Sequence, residues 1–267
     1  MHIEKIIFKD IDQIADLQPD GWSDIATAFR FFLTKEFCNP IKIVVDNKIV
    51  GVGTSIIFKN TAWLGHIIVG IEHRNRGLGS LLVDSLLQNL KGQSMDAVSL
   101  IASTYGEPVY IKFGFRIISE YVYLKREKPW IEKIISDKIV PYKSLFYQEI
   151  MRLDKEISGE DREQLLKEHL KNSFVYIDNK EIKGFYLTTL GEGQIFADST
   201  EAGIELMSLK YAKIDNAVIP EQNQIGLAFL RNNGFGLSET TGRRMVLGKK
   251  INWQPSKYFS RIGGDYG

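Results

Sequence analysis

One stretch limits what this chain can fold into more than any other: His66 to Leu87, which reads HIIVGIEHRNRGLGSLLVDSLL. Ile67-Ile68-Val69 is a short apolar run with no helical polar face, and it predicts a buried strand. The polar residues Glu72 to Asn75 predict a turn, followed by Gly77 and Gly79. Beyond them Leu78, Leu82, Leu86 and Leu90 recur at four-residue steps, and Leu81, Val83 and Leu87 widen the stripe, as in an amphipathic helix. The unit is strand, glycine turn, helix. The first amides of a helix have no intrahelical acceptor, and the helix dipole places partial positive charge there. Glycine lets a ligand approach the backbone closely, and Arg74 and Arg76 add full positive charge. A pyrophosphate is the natural occupant of such a turn.

Glycine spacing narrows which pyrophosphate. A Rossmann fingerprint needs a third glycine where this chain has Leu82, and the Gly-Lys-Ser/Thr of a Walker loop is absent. Arg74-Asn75-Arg76-Gly77-Leu78-Gly79 does fit Arg/Gln-x-x-Gly-x-Gly/Ala. About thirty residues on, Tyr110-Ile111-Lys112-Phe113-Gly114-Phe115 fits Tyr-x-x-x-Gly-Phe. In this order the two motifs resemble the GNAT superfamily of N-acetyltransferases over residues 1 to about 125. The resemblance implies an α/β (α+β) fold, with helices flanking a mixed, mostly antiparallel sheet that splays after its fourth strand. The acyl-pantetheine arm of CoA enters that splay. It implies acetyl-CoA as co-substrate, no metal, and a primary amine as acceptor, attacked directly in a ternary complex.

The same resemblance implies roles for particular residues. Val69, Gly70 and Ile71 would run beside the pantetheine arm, with an amide near Val69 polarising the thioester carbonyl. The amides of Arg74, Asn75, Arg76, Gly77, Leu78, Gly79 and Ser80 would hold the pyrophosphate, with the Ser80 hydroxyl as a further donor. Tyr110 would be the general acid toward the departing CoA thiolate, since a phenol is a proton donor with an ordinary pKa of about 10. Trp22 and Asp24 lie in the loop that would border the acceptor. Plainer readings stand beside these. Tyr110 fits a helix aromatic packed on the sheet, Trp22 a core aromatic, and Asp24 a first-turn acid that favours the helix dipole.

No general base emerges. His66 titrates near neutrality, but a strand alternates its faces, which sets His66 opposite to Trp63 and Gly65, where a base on this strand is expected. Neither Trp63 nor Gly65 is a base. His73 stands where an aromatic is usual in the turn, and Ile71 where proline is common. The competing reading, from another class, is a non-catalytic acyl-CoA-binding or partner-binding protein on the same scaffold.

The remaining chain fits this frame. Ile3–Phe8 reads as a strand, Asp10–Leu17 as a short helix, and Ser23 as the cap of a helix running to about Leu33. Residues 41–45 and 48–58 read as a hairpin about Asp46-Asn47, residues 60–69 and 97–102 as strands, and 106–113 as a helix before a strand at 115–124. The charged, proline-bearing segment 126–137 predicts a linker between a catalytic domain at 1–125 and a second domain at 138–267. There, residues 160–170, 200–209 and 222–232 read as helices and 174–177, 182–190 and 217–219 as strands. Gly234-Phe235 echoes Gly114-Phe115, but Gly191 and Gly193 carry no arginine, so this half resembles a degenerate GNAT-like domain without a phosphate loop. Its tail, Trp253 to Gly267, resembles the ending of tandem GNAT proteins.

With 267 residues, 44 % hydrophobic and 25 % charged, and a formal net charge of +1, nothing points to nucleic acid or an anionic membrane as partner. A homodimer is compatible with this composition. The lone Cys38 excludes an intrachain disulfide and a multi-cysteine metal site. The opening residues MHIEKIIFKD lack a signal peptide's apolar core, so the expected location is cytoplasmic.

Overall fold

The computed structural model describes all 267 residues, which gather into two compact units. The first holds Met1–Arg116, Met245–Lys249 and Gly264–Tyr266; the second holds Ile117–Arg244, Lys250–Gly263 and Gly267. The units are therefore not consecutive stretches, and residues beyond 138 are not confined to the second. The architecture is the mixed α/β arrangement expected, with helices against mostly antiparallel sheets.

In the first unit the order is β1 (His2–Lys5), α1 (Ile11–Ala15), α2 (Ile25–Leu33), β2 (Cys38–Val45), β3 (Lys48–Phe58), β4 (Thr61–Val69), α3 (Leu78–Leu90), β5 (Ala97–Ala102) and α4 (Glu107–Lys112). The strands lie side by side as β1-β2-β3-β4-β5. Met245–Lys249 and Gly264–Tyr266 complete this unit. All pairings from β1 to β4 are antiparallel, whereas β5 runs parallel to β4. The β2–β3 turn is left-handed at both Asp46 (φ 48°) and Asn47 (φ 63°), the primed geometry that matches strand twist. Leu82, Val83 and Leu86 on the inner face of α3 are fully buried against Ile41, Ile43, Leu64 and Leu100. The leucine stripe thus fixes α3 across the sheet and holds its N-terminus at the end of β4.

Two local expectations shift. The first strand stops at Lys5, because the Asp10 carboxylate accepts from the Ile7 amide (2.8 Å) and pairs with Lys42 Nζ (2.6 Å), which folds Phe8–Asp10 into a 3-10 turn. The cap of α2 is Asp24, not Ser23: the Asp24 carboxylate accepts from the Ala26 amide (2.9 Å) and the Thr27 hydroxyl (2.6 Å).

The second unit continues with β6 (Arg116–Arg126), β7 (Ile139–Pro141), α5 (Tyr147–Ser158), α6 (Glu163–Leu166), β8 (Phe174–Asp178), β9 (Glu181–Leu187), β10 (Gln194–Ala197), α7 (Thr200–Tyr211), β11 (Asn216–Pro220), α8 (Gln224–Asn232), β12 (Phe235–Gly248) and β13 (Tyr258–Ser260). Five strands form a sheet in the order β13-β10-β9-β8-β7. The main helix before it is α5, with Ile150, Leu153 and Ile157 buried, and it ends at Gly159 in the left-handed conformation (φ 74°). The helix expected over 160–170 shrinks to α6 and a 3-10 turn, Lys167–His169. Here Arg162 is drawn inward instead, its guanidinium bonded to the buried Asp154 carboxylate at 2.5 and 3.1 Å. Gln194 Nε2 donates to the same carboxylate at 3.0 Å, so the buried charge is well partnered.

Leu82→Ala removes a fully buried side chain where α3 meets the sheet. It should destabilise the first unit by about 2–5 kcal/mol, read from urea unfolding of the purified variant against the wild type.

Candidate active site

The strand β4 decides the site's shape. It pairs with β5 only through Thr61–Ala97, Ala62–Val98 and Trp63–Ser99. From Leu64 onward its edge toward β5 has no strand partner, while its other edge stays paired to β3 as far as Val69–Gly51. An exposed strand edge is a template for an extended ligand that adds backbone hydrogen bonds. The sheet therefore splays after its fourth strand, as the family resemblance implies.

At the end of that edge stands the glycine turn. Leu81 is the first amide of α3 to close onto the turn (to Gly77 C=O, 3.0 Å), so the amides of Leu78, Gly79 and Ser80 lack intrahelical acceptors. Gly77 is left-handed (φ 79°), which needs glycine, and Asn75 is left-handed too (φ 60°). A methyl group at Gly77 or Gly79 would meet no atom within 4 Å, so the backbone faces open space on both sides of Leu78. Arg74 and Arg76 are exposed, and Arg74 Nε donates to the Val69 carbonyl (3.1 Å), which ties the turn to the end of β4. These residues fit a pyrophosphate.

The second unit's Gly-x-Gly is different in kind. A methyl at Gly191 would fall 2.1 Å from the Ile262 carbonyl oxygen, and one at Gly193 would fall 2.9 Å from the Tyr186 ring. The Glu192 amide donates to Ile262 C=O (2.6 Å), and the Lys210 ammonium bonds the carbonyls of Glu192 (2.6 Å) and Gly193 (2.9 Å). This loop is filled by its own chain, and burial lowers Lys210 to about 7.

Tyr110 lies on α4 with its ring buried in the first unit's core, edge-on to Phe115 at 6.0 Å. The ring packs on the sheet, as the plainer reading has it, and burial raises the phenol's pKa, which holds the proton on it and makes it a weaker acid than a free phenol. Trp22 and Asp24 separate. Asp24 is spent on capping α2, and its hydrogen bond to Thr27 helps to hold its pKa low. Trp22 is half exposed and meets His66 edge-on, ring centroids 5.8 Å apart.

His66 is where strand alternation fails. Val52 pairs with Ile68 and Thr54 with Gly65, so Gly53 on β3 stands opposite two residues of β4, His66 and Ile67. This is a β-bulge, and His66 takes the left-handed conformation (φ 49°) within it. The consequence is that Gly65 and His66 address the same neighbour. A methyl at Gly65 would lie 2.5 Å from Asp265 Oδ1, and His66 Nδ1 donates to that oxygen at 2.7 Å. The expectation that His66 faces away from position 65 is thus overturned by one inserted residue. A non-glycine residue held left-handed costs about 1–2 kcal/mol, and such strain gathers at functional sites.

The surroundings of this pair are dry. Phe29 and Phe32 of α2 meet the imidazole edge-on at 5.6 and 5.4 Å, and Trp22 closes a third side. Burial acts to disfavour the imidazolium, but the Asp265 charge and its hydrogen bond outweigh it, and the His66 pKa stands above the usual 6.5. Cys38 and Tyr266 share the neighbourhood. Burial first, then the Asp265 charge, pushes the Cys38 thiol to about 12, which leaves it inert as a nucleophile at neutral pH. The Tyr266 phenol is likewise held protonated. Nothing in the local sequence announces Asp265, which reaches His66 across 199 residues of chain.

Comparison with known proteins agrees with this geometry. Residues 26–126 match one family model and residues 150–260 another, both described as an acetyltransferase (GNAT) domain. The chain belongs to the GNAT acetyltransferase family and carries two such domains in tandem. A proposed acetyltransferase from Pyrococcus horikoshii shares the fold at TM-score 0.85 and 21% identity, covering 100% of this chain and 95% of that one. A GCN5-related N-acetyltransferase from Sphaerobacter thermophilus does so at TM-score 0.66 and 12% identity, covering 95% and 98%. At these identities the likeness is one of fold. In sequence, the uncharacterised protein YyaT of Bacillus subtilis (strain 168) is 30% identical over 91 residues, which span 34% of this chain and 62% of YyaT. No group of three or more metal-ligating side chains occurs, and no helix is long and apolar enough to cross a membrane.

The His66 pairing can be read directly. An NMR titration of the imidazole should place His66 above 6.5 in the wild type, and Asp265→Asn should move it to lower pH, because the raising charge is gone while burial remains.

Proposed function

We propose that this protein is an N-acetyltransferase that moves an acetyl group from acetyl-CoA to a primary amine by direct attack in a ternary complex. The observation that carries the reading is the open edge of β4 beyond Trp63, leading directly to the open glycine turn at the start of α3. One edge offers backbone partners to an extended pantetheine arm, and the turn offers amides and arginines to a pyrophosphate.

The parts have distinct work. Val69, Gly70 and Ile71 border the arm. Residues Arg74 to Ser80 hold the pyrophosphate, with Gly77 and Gly79 leaving room for it. Holding the thioester beside the acceptor replaces a bimolecular encounter with a positioned one. The acceptor nitrogen attacks the thioester carbonyl carbon; a C–N bond forms as the C–S bond breaks. Tyr110 supplies a proton to the departing sulfur. Trp22 borders the acceptor side, where its ring meets that of His66. The filled loop of the second unit supports a single CoA site per chain. A cytoplasmic location belongs to the same reading.

Three outcomes test it. Titration calorimetry should give one acetyl-CoA bound per chain; two would contradict the reading of the second unit. Gly77→Glu should weaken acetyl-CoA binding at least about tenfold, because a side chain is strained at positive φ and a carboxylate would occupy the anion's place. In a panel of primary amines, the wild type should release CoA thiol in an acceptor-dependent way, and Tyr110→Phe should slow release by about a hundredfold or more. Tight acetyl-CoA binding with no acceptor-dependent thiol release in any pool would favour a binding protein instead.

A further inference from the structure

Acetyl transfer to an amine leaves one proton unaccounted for. An alkyl ammonium is not a nucleophile, so the acceptor must lose a proton before or during attack. The sequence alone assigns no residue as that base, because strand alternation set His66 aside. The bulge in β4 supplies one.

Resting on the acetyltransferase reading, we infer that His66 is the general base that takes this proton, and that Asp265 is the residue that positions it. Four observations carry the inference. The bulge turns the imidazole onto the face of β4 that also holds the Gly65 position, where strand alternation alone would have hidden it. His66 stands within the part of β4 whose edge toward β5 is open. Nδ1 is committed to Asp265 at 2.7 Å, which fixes the tautomer and leaves Nε2 as the basic nitrogen. Gly65 is the only residue that leaves room for the Asp265 carboxylate, since a methyl there would sit 2.5 Å from Oδ1 and 3.0 Å from the Asp265 Cβ.

The proton balance is complete without any added reactant. The acceptor ammonium gives its first proton to Nε2, and the Asp265 carboxylate stabilises the imidazolium; the neutral nitrogen then attacks, the C–N bond forms as the C–S bond breaks, Tyr110 protonates the departing sulfur, and the second proton shed by the nitrogen as it becomes an amide restores the phenol, so that one net proton passes from Nε2 to solvent. Asp265 does not itself accept the proton. Its work is to hold the ring's orientation and to offset the burial of a charged imidazole. The other groups about the pair are Cys38 and Tyr266, both held protonated and neutral, and the uncharged rings of Trp22, Phe29 and Phe32. Asp265 is therefore the one charge that faces His66.

The test uses the full chain with an amine that the wild type acetylates, comparing His66→Gln, Asp265→Asn and Gly65→Ala. His66→Gln should lower kcat by about a hundredfold or more and leave acetyl-CoA affinity by calorimetry unchanged. The rate should fall as pH drops, because only the neutral imidazole accepts a proton, and the acid limb of the wild type should lie above pH 6.5. Asp265→Asn should move that limb to lower pH and lower the plateau, and Gly65→Ala should act in the same direction by displacing the carboxylate. A purely structural pair would change stability and leave the limb in place. Wild-type kcat in His66→Gln, or an acid limb unmoved in both Asp265→Asn and Gly65→Ala, would overturn the assignment while the acetyltransferase reading stood. If the wild type acetylated no amine, the acetyltransferase reading would fail first, and this one with it. Should His66→Gln fail to fold, the limb positions in the other two variants decide the matter.

Discussion

Everything in the first unit that bears on chemistry follows from the way β4 stops behaving as an ordinary strand. Through Trp63 it has a partner on each side. Beyond Trp63 one edge is released, and two residues later a single extra residue enters the other pairing. Released backbone groups need partners or water, so the open edge can be met by an extended ligand or by water. The extra residue changes which side chains line that space. The leucines of α3 share one core with side chains of β2, β3 and β4, and the glycine turn joins that helix to the end of β4.

The two Gly-x-Gly loops separate the properties that a motif confers from those that packing confers. Gly77 and Gly79 flank one residue at the start of a helix and open to space. Gly191 and Gly193 flank one residue too, and both are left-handed, yet the space a ligand would need is taken by Ile262, Tyr186 and the Lys210 ammonium. Glu192 between them is turned to Arg261, its carboxylate accepting at 2.6 Å. A glycine pair is permissive toward backbone geometry; only what packs around it decides whether an anion can enter. The absent arginine in the second loop was the one sign of this in the sequence.

Legibility tracked the range of the interactions involved. The leucine helix, the Asp46-Asn47 hairpin and the parallel strand at 97–102 are set by period and turn chemistry within a few residues, and each appears where the sequence places it. Helix α5 carried the same kind of signal in Ile150, Leu153 and Ile157 and could have been read from it. The shortening of 160–170 could not, because Arg162 is drawn to Asp154 and Gln194 by burial, not by local propensity. The candidate base was hidden twice over. Alternation is a sound rule for a regular strand, and a bulge leaves little mark in composition; histidine's tolerance of positive φ was the only hint. Its partner Asp265 lies in the last residues of the chain, and no pattern of spacing links positions so far apart.

The chemistry of that pair depends on two opposed effects. Three aromatic rings exclude water from the imidazole, and desolvation alone would drive its pKa down and make it a poor acceptor of protons. A carboxylate at hydrogen-bond distance alone would drive it up, and a base protonated throughout the working range is idle. Here the carboxylate wins by a margin that leaves the imidazole above its free value. The best base for a given pH is one whose pKa lies near it, so the rings matter to the chemistry as much as the carboxylate does. Asp265, in turn, is kept company by groups that stay neutral, Cys38 and Tyr266, whose own pKa values its charge raises. Its negative charge acts on the imidazole at hydrogen-bond distance, and the imidazole is charged only while it carries the proton it has taken.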